Sequence, residues 1–289
     1  MKLAHLDALL APAQAKAEVA LARLRGLGST LVAYSGGVDS ALLLALSVEA
    51  LGDRAIAFTA LSPAVAPDEL EGARALARRL GAVHVERRSG ELEDPRYAAN
   101  PVNRCYFCKT ELYTLAGAEA RARGIATVVS GTNADELTDH RPGLLAAGEH
   151  AVVQPLAEAG LTKDEIRALS RQRGLSTWDK PQQPCLSSRI PYGTAVTPER
   201  LQQLAASEMA LRGLGLREFR VRYHGDVGRI EVGEDELPRL LEVRAAAAAA
   251  LRAAGFKFVA LDLEPFRTGR LNEAAGLVPL GGRRASGGV

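Results

Sequence analysis

Residues 35–40 of this chain read Ser-Gly-Gly-Val-Asp-Ser, a run of small side chains that contains one acid. The run follows the apolar stretch Leu31–Tyr34 and precedes a helical pattern from Ala41 to Leu51. A buried strand thus enters a small-residue turn, and the turn opens a helix. This order predicts a phosphate site, because the N–H groups of the first helical turn and the positive end of the helix dipole face one point.

The side chains of this turn suit a nucleotide. Gly36 and Gly37 allow the backbone to approach an anion closely, and Ser35 and Ser40 add hydroxyl donors. Asp39 is unusual beside an anion unless it holds a metal ion or another part of the ligand, although it would also charge the first helical turn favourably. The turn is neither a Walker loop nor a Gly-x-Gly-x-x-Gly motif. A strand–helix turn without any ligand is the alternative.

Composition predicts a globular protein with a sizeable core. The 289 residues carry 36 Lys and Arg against 34 Asp and Glu, a net charge of +2, which argues against a general nucleic-acid binder. No apolar run reaches the length of a membrane span, and residues 1–25 indicate an amphipathic helix rather than a signal peptide. We therefore expect a cytoplasmic protein without a nucleic-acid or membrane partner and without a disulfide framework.

Strand-like and helical patterns alternate through the first two thirds of the chain, which predicts an α/β fold with a parallel sheet covered by helices. Ligands of such sheets bind at the carboxyl ends of the strands, where Ser35, Ser62 and residues 130–133 would lie. The strands are expected at residues 30–34, 55–61, 82–87, 127–130 and 152–156, and the helices after the second strand at residues 67–80, 108–123 and 162–174.

A smaller α+β domain is predicted towards the end of the chain. Residues 178–195 are rich in proline and lack periodicity, so we interpret them as a functional loop between the domains, with a plain linker as the alternative. The expected units are an α/β domain at 1–177, the loop at 178–195, the α+β domain at 196–279 and a flexible tail at 280–289. Within the α+β domain we expect a helix from residue 197, paired strands at 219–223 and 229–232, a helix at 234–254 and a strand at 257–263.

The three cysteines occupy two unusual segments. Cys105 and Cys108 form a Cys-x-x-Cys pair and Cys185 lies in the proline-rich loop, all in predicted loops or at a helix start. A structural zinc ion would need a histidine as its fourth ligand. The available histidines are His84, His140 and His150. A [4Fe–4S] cluster usually takes four thiolates, so three would leave one iron open to an external ligand such as sulfide, which would indicate sulfur transfer.

Five sets of motifs together resemble the LarE family of ATP-dependent sulfur transferases, which belongs to the PP-loop ATP pyrophosphatases and serves nickel-pincer nucleotide biosynthesis. The resemblance extends from Ser35 to about Asp262 and implies a Rossmann-like PP-loop domain at residues 1–177. The motifs are SGGVDS at 35–40, NPVNRCYFCK at 100–109, SGTNADE at 130–136 with DHRPG at 139–143, PCLSSRIPYG at 184–193, and VRYHGD at 221–226 with RIE at 229–231.

The resemblance implies that ATP and Mg²⁺ adenylate a carboxylate of pyridinium-3,5-biscarboxylic acid mononucleotide and that sulfur then replaces oxygen, giving a thiocarboxylate. The product would bind nickel and serve lactate racemase and related enzymes. Members with only the cysteine that matches Cys185 sacrifice its sulfur. Because Cys105 and Cys108 are also present, this chain resembles the variant in which three cysteines hold a [4Fe–4S] cluster that carries sulfide or cysteine-derived sulfur. A homo-oligomer, a hexamer built from trimers, is also implied.

The same resemblance singles out further residues. Asp39 and Cys185 would be catalytic. Asn133 and Asp135 would join residues 35–40 at the nucleotide. Arg220 and Arg222 alternate along a strand, so both guanidiniums can grip the substrate phosphate, with a solvated strand face as the alternative.

Three glutamates are candidates near the sulfur-transfer site. Glu136 and Glu231 would hold a divalent metal ion there, with a surface charge as the alternative for each. For Glu208 we expect the surface charge.

Three other functions remain open from the sequence. A tRNA thiolation enzyme would need a basic surface for its RNA. An amidating ligase would share only the ATP chemistry and would leave the three cysteines without a role. A zinc-stabilised nucleotide sensor would not be an enzyme.

Overall fold

The computed structural model describes residues 3–138, 142–181 and 184–267, together with residues 270, 273 and 276. The strands are β1 (Thr30–Ala33), β2 (Ala55–Leu61), β3 (Val83–Arg88), β4 (Thr127–Ser130), β5 (Phe219–His224), β6 (Val227–Val232) and β7 (Phe258–Leu261). The α-helices are α1 (Leu3–Leu27), α2 (Val38–Leu51), α3 (Pro67–Arg79), α4 (Pro95–Ala98), α5 (Arg104–Ala122), α6 (Pro142–Glu149), α7 (Pro155–Glu158), α8 (Lys163–Gln172), α9 (Pro198–Gly213), α10 (Leu237–Glu242) and α11 (Arg244–Ala253).

The first sheet has the strand order β3-β2-β1-β4, and all of its neighbouring strands are parallel. Successive side chains of β1 point to opposite faces. Leu31 packs with Ala116 of α5, whereas Val32 belongs to the core that α1, α2 and α8 complete. Both faces are therefore covered by helices, and the α/β fold predicted from the alternating pattern is confirmed.

The predicted fifth strand at residues 152–156 is wrong. Val153 forms only a single parallel bridge to Val129, and Pro155 begins the short helix α7. Proline has no N–H for a strand ladder, and its fixed φ angle suits the first turn of a helix. The apolar run is buried because it packs beside β4, not because it extends the sheet.

The second sheet lies in the last part of the chain and has the order β5-β6-β7. Strands β5 and β6 are antiparallel, and β7 lies parallel to β6. The single helix predicted at 234–254 is instead divided at Val243, which caps the end of α10 and the start of α11. Leu240 and Leu251 are both buried, so the break allows each piece to turn an apolar side towards the sheet.

The hydrophobic core of the second sheet includes two side chains from the first part of the chain. Ala64 and Tyr97, which precede the proline-rich loop by many residues, pack with Leu186, Ile190 and the side chains of the second sheet. The predicted boundary at 178–195 stays a prediction, and the predicted tail at 280–289 lies outside the described residues. Among the helices that the structure describes, none combines the length and apolar character that a membrane crossing requires.

Candidate active site

The turn after β1 is shaped by two glycines. Gly36 has a φ of +72°, and a Cβ there would lie 2.6 Å from the Cβ of Ala73 in α3. Glycine is thus needed for both the backbone angle and the close approach. Gly37 caps α2 without a side-chain hydrogen bond to the helix, so the turn leaves backbone donors at the start of α2 for a ligand.

Two serines close the turn from inside. The Oγ atoms of Ser35 and Ser40 lie 3.1 Å apart, and the Ser35 N–H donates to Ser40 Oγ over 3.2 Å. Ser40 Oγ also donates to the Gly37 carbonyl at 3.2 Å. These bonds hold the turn in place before any ligand is bound.

The segment after β4 is brought directly against this turn. A Cβ on Gly131 would lie 2.8 Å from the backbone nitrogen of Ser40, so only glycine fits. Asn133 Nδ2 donates to Asp39 Oδ1 over 3.2 Å. The Oδ1 atom of Asn133 accepts the N–H of Asp135 at 3.1 Å. The turn and the segment at 130–136 therefore form one site at the carboxyl edge of the sheet.

Two lysines that sequence reasoning did not assign to the site also lie there. Lys163 Nζ pairs with Asp39 Oδ2, and its backbone N–H donates to Asp135 Oδ2 over 2.8 Å. Lys180 Nζ donates to the Gly36 carbonyl at 3.2 Å. The position of Lys163 could have been predicted to involve an acidic partner. Lys163 is the first residue of α8, where the helix dipole disfavours a cation unless an acid compensates for its charge.

The cysteines come from two segments. Cys105 and Cys108 lie in the first turns of α5, which begins at Arg104, and their spacing puts them on one face of that helix. The helix predicted from residue 108 thus starts earlier than expected. Cys185 precedes a short 3₁₀ helix at Leu186–Arg189.

The three thiols share one environment. Cys105 is exposed, whereas Cys108 and Cys185 are partly buried. Burial raises the pKa of the Cys108 thiol well above its usual value, and the neighbouring Cys185 raises it further. Desolvation, followed by the influence of Cys185, raises the pKa of the Cys105 thiol as well. The Cys105 side chain is nevertheless exposed to solvent. Cys108 and Cys185 also pack against the same hydrophobic core, so the segment of Cys185 lies beside the start of α5.

Hydrogen bonds to the main chain hold the segment of Cys185 against α5. Arg104 Nη1 donates to the Ser187 carbonyl at 3.0 Å, and the Tyr97 hydroxyl lies 2.7 Å from Ser187 Oγ. Arg189 Nη1 donates to the carbonyl of Pro184 at 2.6 Å and to that of Cys185 at 3.3 Å. The backbone around Cys185 is therefore tied to two guanidiniums.

Lys109 connects the cysteines to the nucleotide turn. Burial alone would lower the pKa of Lys109, but interactions with Tyr113 first, and then with Cys108, Cys105 and Glu136, raise it overall. Glu136 also donates its backbone N–H to Asn133 Oδ1 over 3.3 Å. The thiols, Glu136 and the nucleotide turn consequently form one continuous region.

The positions of the histidines do not support a zinc site that would use a histidine as the fourth ligand. His84 Nε2 lies 2.8 Å from Thr59 Oγ1 within the sheet, and the ring of His150 packs near Tyr113. His140 lies outside the described residues. In the parts of the chain that the structure describes, no three His, Cys, Asp or Glu side chains are grouped to hold a single metal ion.

The arginines and glutamates of the second sheet form buried ion pairs. Glu208 is not a surface charge, because it is 1% exposed and accepts hydrogen bonds of 2.8 and 2.9 Å from Arg189. The expectation for Glu208 is therefore wrong, since an inward position on α9 requires a cationic partner. Arg222 Nε donates to Glu231 Oε2 over 2.9 Å, and Arg229 binds the other carboxylate oxygen at 3.1 Å. These contacts do not favour Glu231 as a metal ligand.

Arg220 and Arg222 are two residues apart in β5, as their alternation requires. Burial, followed by repulsion from Arg189, lowers the pKa of Arg220 to about 10. Its guanidinium lies 4.7 Å from the ring centre of Phe266. Arg222 Nη1 donates to the carbonyl of Ser188 at 2.9 Å, three residues after Cys185. The arginine pair thus adjoins the cysteine segment, and its grip on a substrate phosphate stays a prediction.

Comparison with known proteins supports both halves of this site. A family model described as asparagine synthase matches residues 18–184. An uncharacterised protein of Synechocystis is 43% identical over 248 residues, which are 85% of this chain and 92% of that protein. The pyridinium-3,5-bisthiocarboxylic acid mononucleotide synthase of Lactiplantibacillus plantarum is 36% identical over 254 residues, 88% of this chain and 92% of that enzyme. An uncharacterised protein of Methanocaldococcus jannaschii is 26% identical over 242 residues, which are 82% and 90% of the two chains.

The family model covers the parallel sheet and its nucleotide turn, whereas the match to the mononucleotide synthase covers most of both chains. The nucleotide turn, the segment at 130–136 and the three thiols agree with an enzyme that activates its substrate with ATP before sulfur is introduced. Through its nucleotide-binding half the chain belongs to the asparagine synthase family of PP-loop proteins, and over nearly its whole length it belongs to the LarE family of ATP-dependent sulfur transferases.

Proposed function

We propose that this enzyme acts on pyridinium-3,5-biscarboxylic acid mononucleotide and converts its carboxylates to thiocarboxylates, one after the other, for nickel-pincer cofactor synthesis. The observation that carries the proposal is that the segment of Cys185 lies against the start of α5, which holds Cys105 and Cys108, in a chain that also carries a PP-loop turn. The relative from Lactiplantibacillus plantarum is named for synthesis of the corresponding bisthiocarboxylic acid mononucleotide, which supports the choice of substrate.

The first half of the reaction uses the nucleotide turn. A carboxylate oxygen of the substrate attacks the α-phosphorus of ATP, and pyrophosphate leaves. Backbone donors at the start of α2 and the hydroxyls of Ser35 and Ser40 would hold the phosphates. Asp39 would hold Mg²⁺, which offsets the phosphate charge, after it parts from Lys163. Asn133 keeps the Asp39 carboxylate oriented through the bond to Oδ1.

The second half uses the cysteines. Sulfide, or sulfur derived from cysteine, attacks the acyl carbon of the adenylate, and AMP leaves with one of the original carboxylate oxygens. Adenylation is needed because a free carboxylate is a poor acceptor for sulfur. Arg220 and Arg222 are proposed to hold the phosphate of the substrate while its ring reaches the cysteines.

We infer that the three cysteines would hold a [4Fe–4S] cluster. The cations of Arg104 and Lys109 lie near the thiols and would offset the negative charge of bound thiolates. Such a cluster would supply an iron that is open to sulfide. A homo-oligomer built from trimers is part of the same proposal.

The test is iron and acid-labile sulfide content after anaerobic reconstitution, measured on the wild type and on Cys105→Ala, Cys108→Ala and Cys185→Ala. About four irons per chain in the wild type, lost in each variant, are expected. Asn103→Ala, two residues before Cys105, is the control and should keep its iron, because that exposed side chain makes no capping bond to α5. Thermal unfolding of each variant separates cluster loss from misfolding.

Turnover distinguishes the mechanisms. Thiocarboxylate product in excess of protein, formed only with ATP and sulfide, is expected and would establish catalytic transfer. If the protein holds no iron, only Cys185→Ala is inactive and the wild type loses the mass of one sulfur atom, then Cys185 itself is the sulfur donor. If pyrophosphate is not released in the presence of the substrate, the proposed substrate is wrong.

A further inference from the structure

Lys180 contacts the nucleotide turn although it belongs neither to that turn nor to the segment at 130–136. Its Nζ donates to the carbonyl of Gly36 over 3.2 Å and pairs with the Glu69 carboxylate of α3 at 2.5 Å. The Lys180 side chain is 22% exposed, and that of Glu69 is 18% exposed. The ammonium group of Lys180 therefore lies at the edge of the predicted phosphate site, where the carboxylate of Glu69 balances its charge.

The main chain around Lys180 is held by hydrogen bonds of its own, separate from those of the side chain. Arg167 of α8 donates to the carbonyl of Trp178 at 2.6 Å and to that of Lys180 at 2.8 Å. The Lys180 N–H donates to the carbonyl of Thr177 over 3.1 Å. Because the main chain of Lys180 is bonded to α8 and to Thr177, a change of partner by its side chain acts on this bonded segment.

Lys180 is close along the chain to Cys185. Cys185 follows five residues later, a distance that an extended chain spans in about 17 Å. On the far side of Cys185, the Leu186 N–H donates to the Ala64 carbonyl over 2.8 Å. The described residues on both sides of this interval, Lys180 and Leu186, are thus each anchored by hydrogen bonds.

Phosphate binding would change the balance of charges around Lys180. An anion at the turn would repel the nearby Glu69 carboxylate and attract the ammonium, and both effects act strongly in a partly buried site. A lysine is a suitable point charge for a phosphate. The Lys180 side chain would therefore leave Glu69 for the ligand.

We propose that Lys180 binds a phosphate of the nucleotide and thereby links occupancy of the turn to the position of the segment that carries Cys185. Lys180 is in this view a phosphate-binding residue at the turn and a positioning residue for sulfur transfer. The second role rests on the proposed function, because it assumes that Cys185 takes part in sulfur delivery. The first role stands independently of the sulfur chemistry.

The first test is calorimetric binding of α,β-methylene ATP with Mg²⁺ to the full chain. For Lys180→Met we expect Kd to rise by about tenfold, the loss typical of one charge-assisted hydrogen bond, and for Lys180→Arg we expect most of the affinity to return. Glu69→Gln should bind at least as tightly as the wild type, because it releases the ammonium. Lys257→Met is the matched control, since Lys257 is an exposed lysine paired with the single carboxylate of Asp226 at 3.0 Å.

The second test uses the fluorescence of Trp178, the single tryptophan of the chain. Nucleotide should change this signal in the wild type and in Lys257→Met. In Lys180→Met the change should be absent even when the turn is saturated. An unchanged Kd in Lys180→Met, or a full fluorescence response at saturation, would overturn the proposal, provided that its melting temperature matches the wild type. If Lys180→Met does not fold, weaker binding by Glu69→Gln overturns it instead.

Sulfur transfer provides the third comparison. At saturating ATP, Lys180→Met should form thiocarboxylate more slowly than the wild type, whereas its substrate-dependent release of pyrophosphate should fall less. Neither binding nor fluorescence needs a product, so a wild type that makes no thiocarboxylate counts against the proposed function alone. Equal losses of both activities at saturation would remove the positioning role of Lys180.

Discussion

At the scale of single residues, the pair Arg189–Glu208 does more than fill the core. Both side chains are 1% exposed, and Arg189 also donates to the carbonyls of Pro184 and Cys185. Glu208 Oε1 further accepts the N–H of Val221 in β5 over 3.1 Å. One buried ion pair thus connects α9, the second sheet and the backbone of Cys185.

Removal of one partner should leave the other charge buried. Glu208→Gln and Arg189→Met are each expected to lower the free energy of unfolding by about 3–5 kcal/mol, measured by urea denaturation. Asp226→Asn, which breaks an exposed pair with Lys257, is the control and should cost less than about 1 kcal/mol. Equal effects in the buried and exposed pairs would contradict the role of burial.

The pair also predicts how stability depends on acid. Burial alone would raise the pKa of Glu208, but the charge of Arg189 and its hydrogen bonds lower it overall. A carboxylate with a lowered pKa in the folded state contributes stability at neutral pH, and the contribution is lost as pH falls through the pKa values of the unfolded and folded states. The slope of stability against pH below the usual glutamate range should therefore be smaller in Glu208→Gln than in the wild type.

His84 predicts a second, separate pH dependence. Burial lowers its pKa from 6.5, more than the neighbouring Glu86 raises it. The unfolded chain therefore takes up this proton first, and the folded state should lose stability as pH falls below about 6.5. His84→Gln should remove that slope from thermal unfolding curves, while the exposed His5→Gln should retain it. An identical slope in both variants would show that other groups cause it.

At the scale of elements, the site depends on how closely the end of β4 approaches the start of α2. A Cβ at Gly131 would lie 2.8 Å from the Ser40 nitrogen and 3.0 Å from the Asp39 carbonyl carbon, and neither is a flexible side chain. The two elements would have to separate to admit a methyl group. The bond between Asn133 and Asp39 depends on the same approach.

Gly131→Ala should therefore weaken nucleotide binding and cost about 1–3 kcal/mol of stability, as overpacking does. Calorimetry with ATP and denaturation by urea measure the two effects. Gly148→Ala is the control, because it lies in α6 with no atom within 4 Å of the added carbon, and helical alanine should be neutral or stabilising. Full ATP affinity in Gly131→Ala would show that the elements can separate without harm.

The elements also show where sequence reasoning succeeds and where it stops. The alternation of strand and helix patterns predicts the parallel sheet, and the order of strand, turn and helix around residues 35–40 predicts the nucleotide turn, because both depend on local pattern. Lys163 and Lys180 were not assigned to that turn, since their partners lie 124 and 144 residues away in the chain. Glu208 was misjudged for the same reason, because a helical pattern does not reveal that a distant arginine neutralises a buried acid.

At the scale of the whole molecule, Asn100 joins the first part of the chain to the loop before α9. It is fully buried and adopts a φ of +56°. Its Nδ2 lies 3.3, 2.8 and 2.9 Å from the carbonyl oxygens of Ile190, Pro191 and Thr194, respectively. Tyr97 packs in the core of the second sheet. Together with the bonds of Asn100, this packing means that the first part of the chain and the loop before α9 jointly position the cysteines.

Loss of this junction should affect the whole chain. Asn100→Ala should cost about 2–4 kcal/mol, because it leaves buried carbonyls without a donor and because alanine tolerates left-handed backbone less well than asparagine. Asn100→Gly should recover about 1 kcal/mol of that loss, since glycine adopts this angle without strain. Urea denaturation followed by circular dichroism measures both. No difference between the two variants would show that backbone strain contributes nothing.

The way in which the Cys185 segment is anchored has an evolutionary consequence. Arg189 binds the carbonyls of Pro184 and Cys185, and Ala64 accepts the N–H of Leu186. These bonds use main-chain atoms, so they persist whatever side chain stands at position 185 or at positions 105 and 108. The residue at position 185 can therefore be exchanged during evolution without a change in the bonds that anchor its backbone.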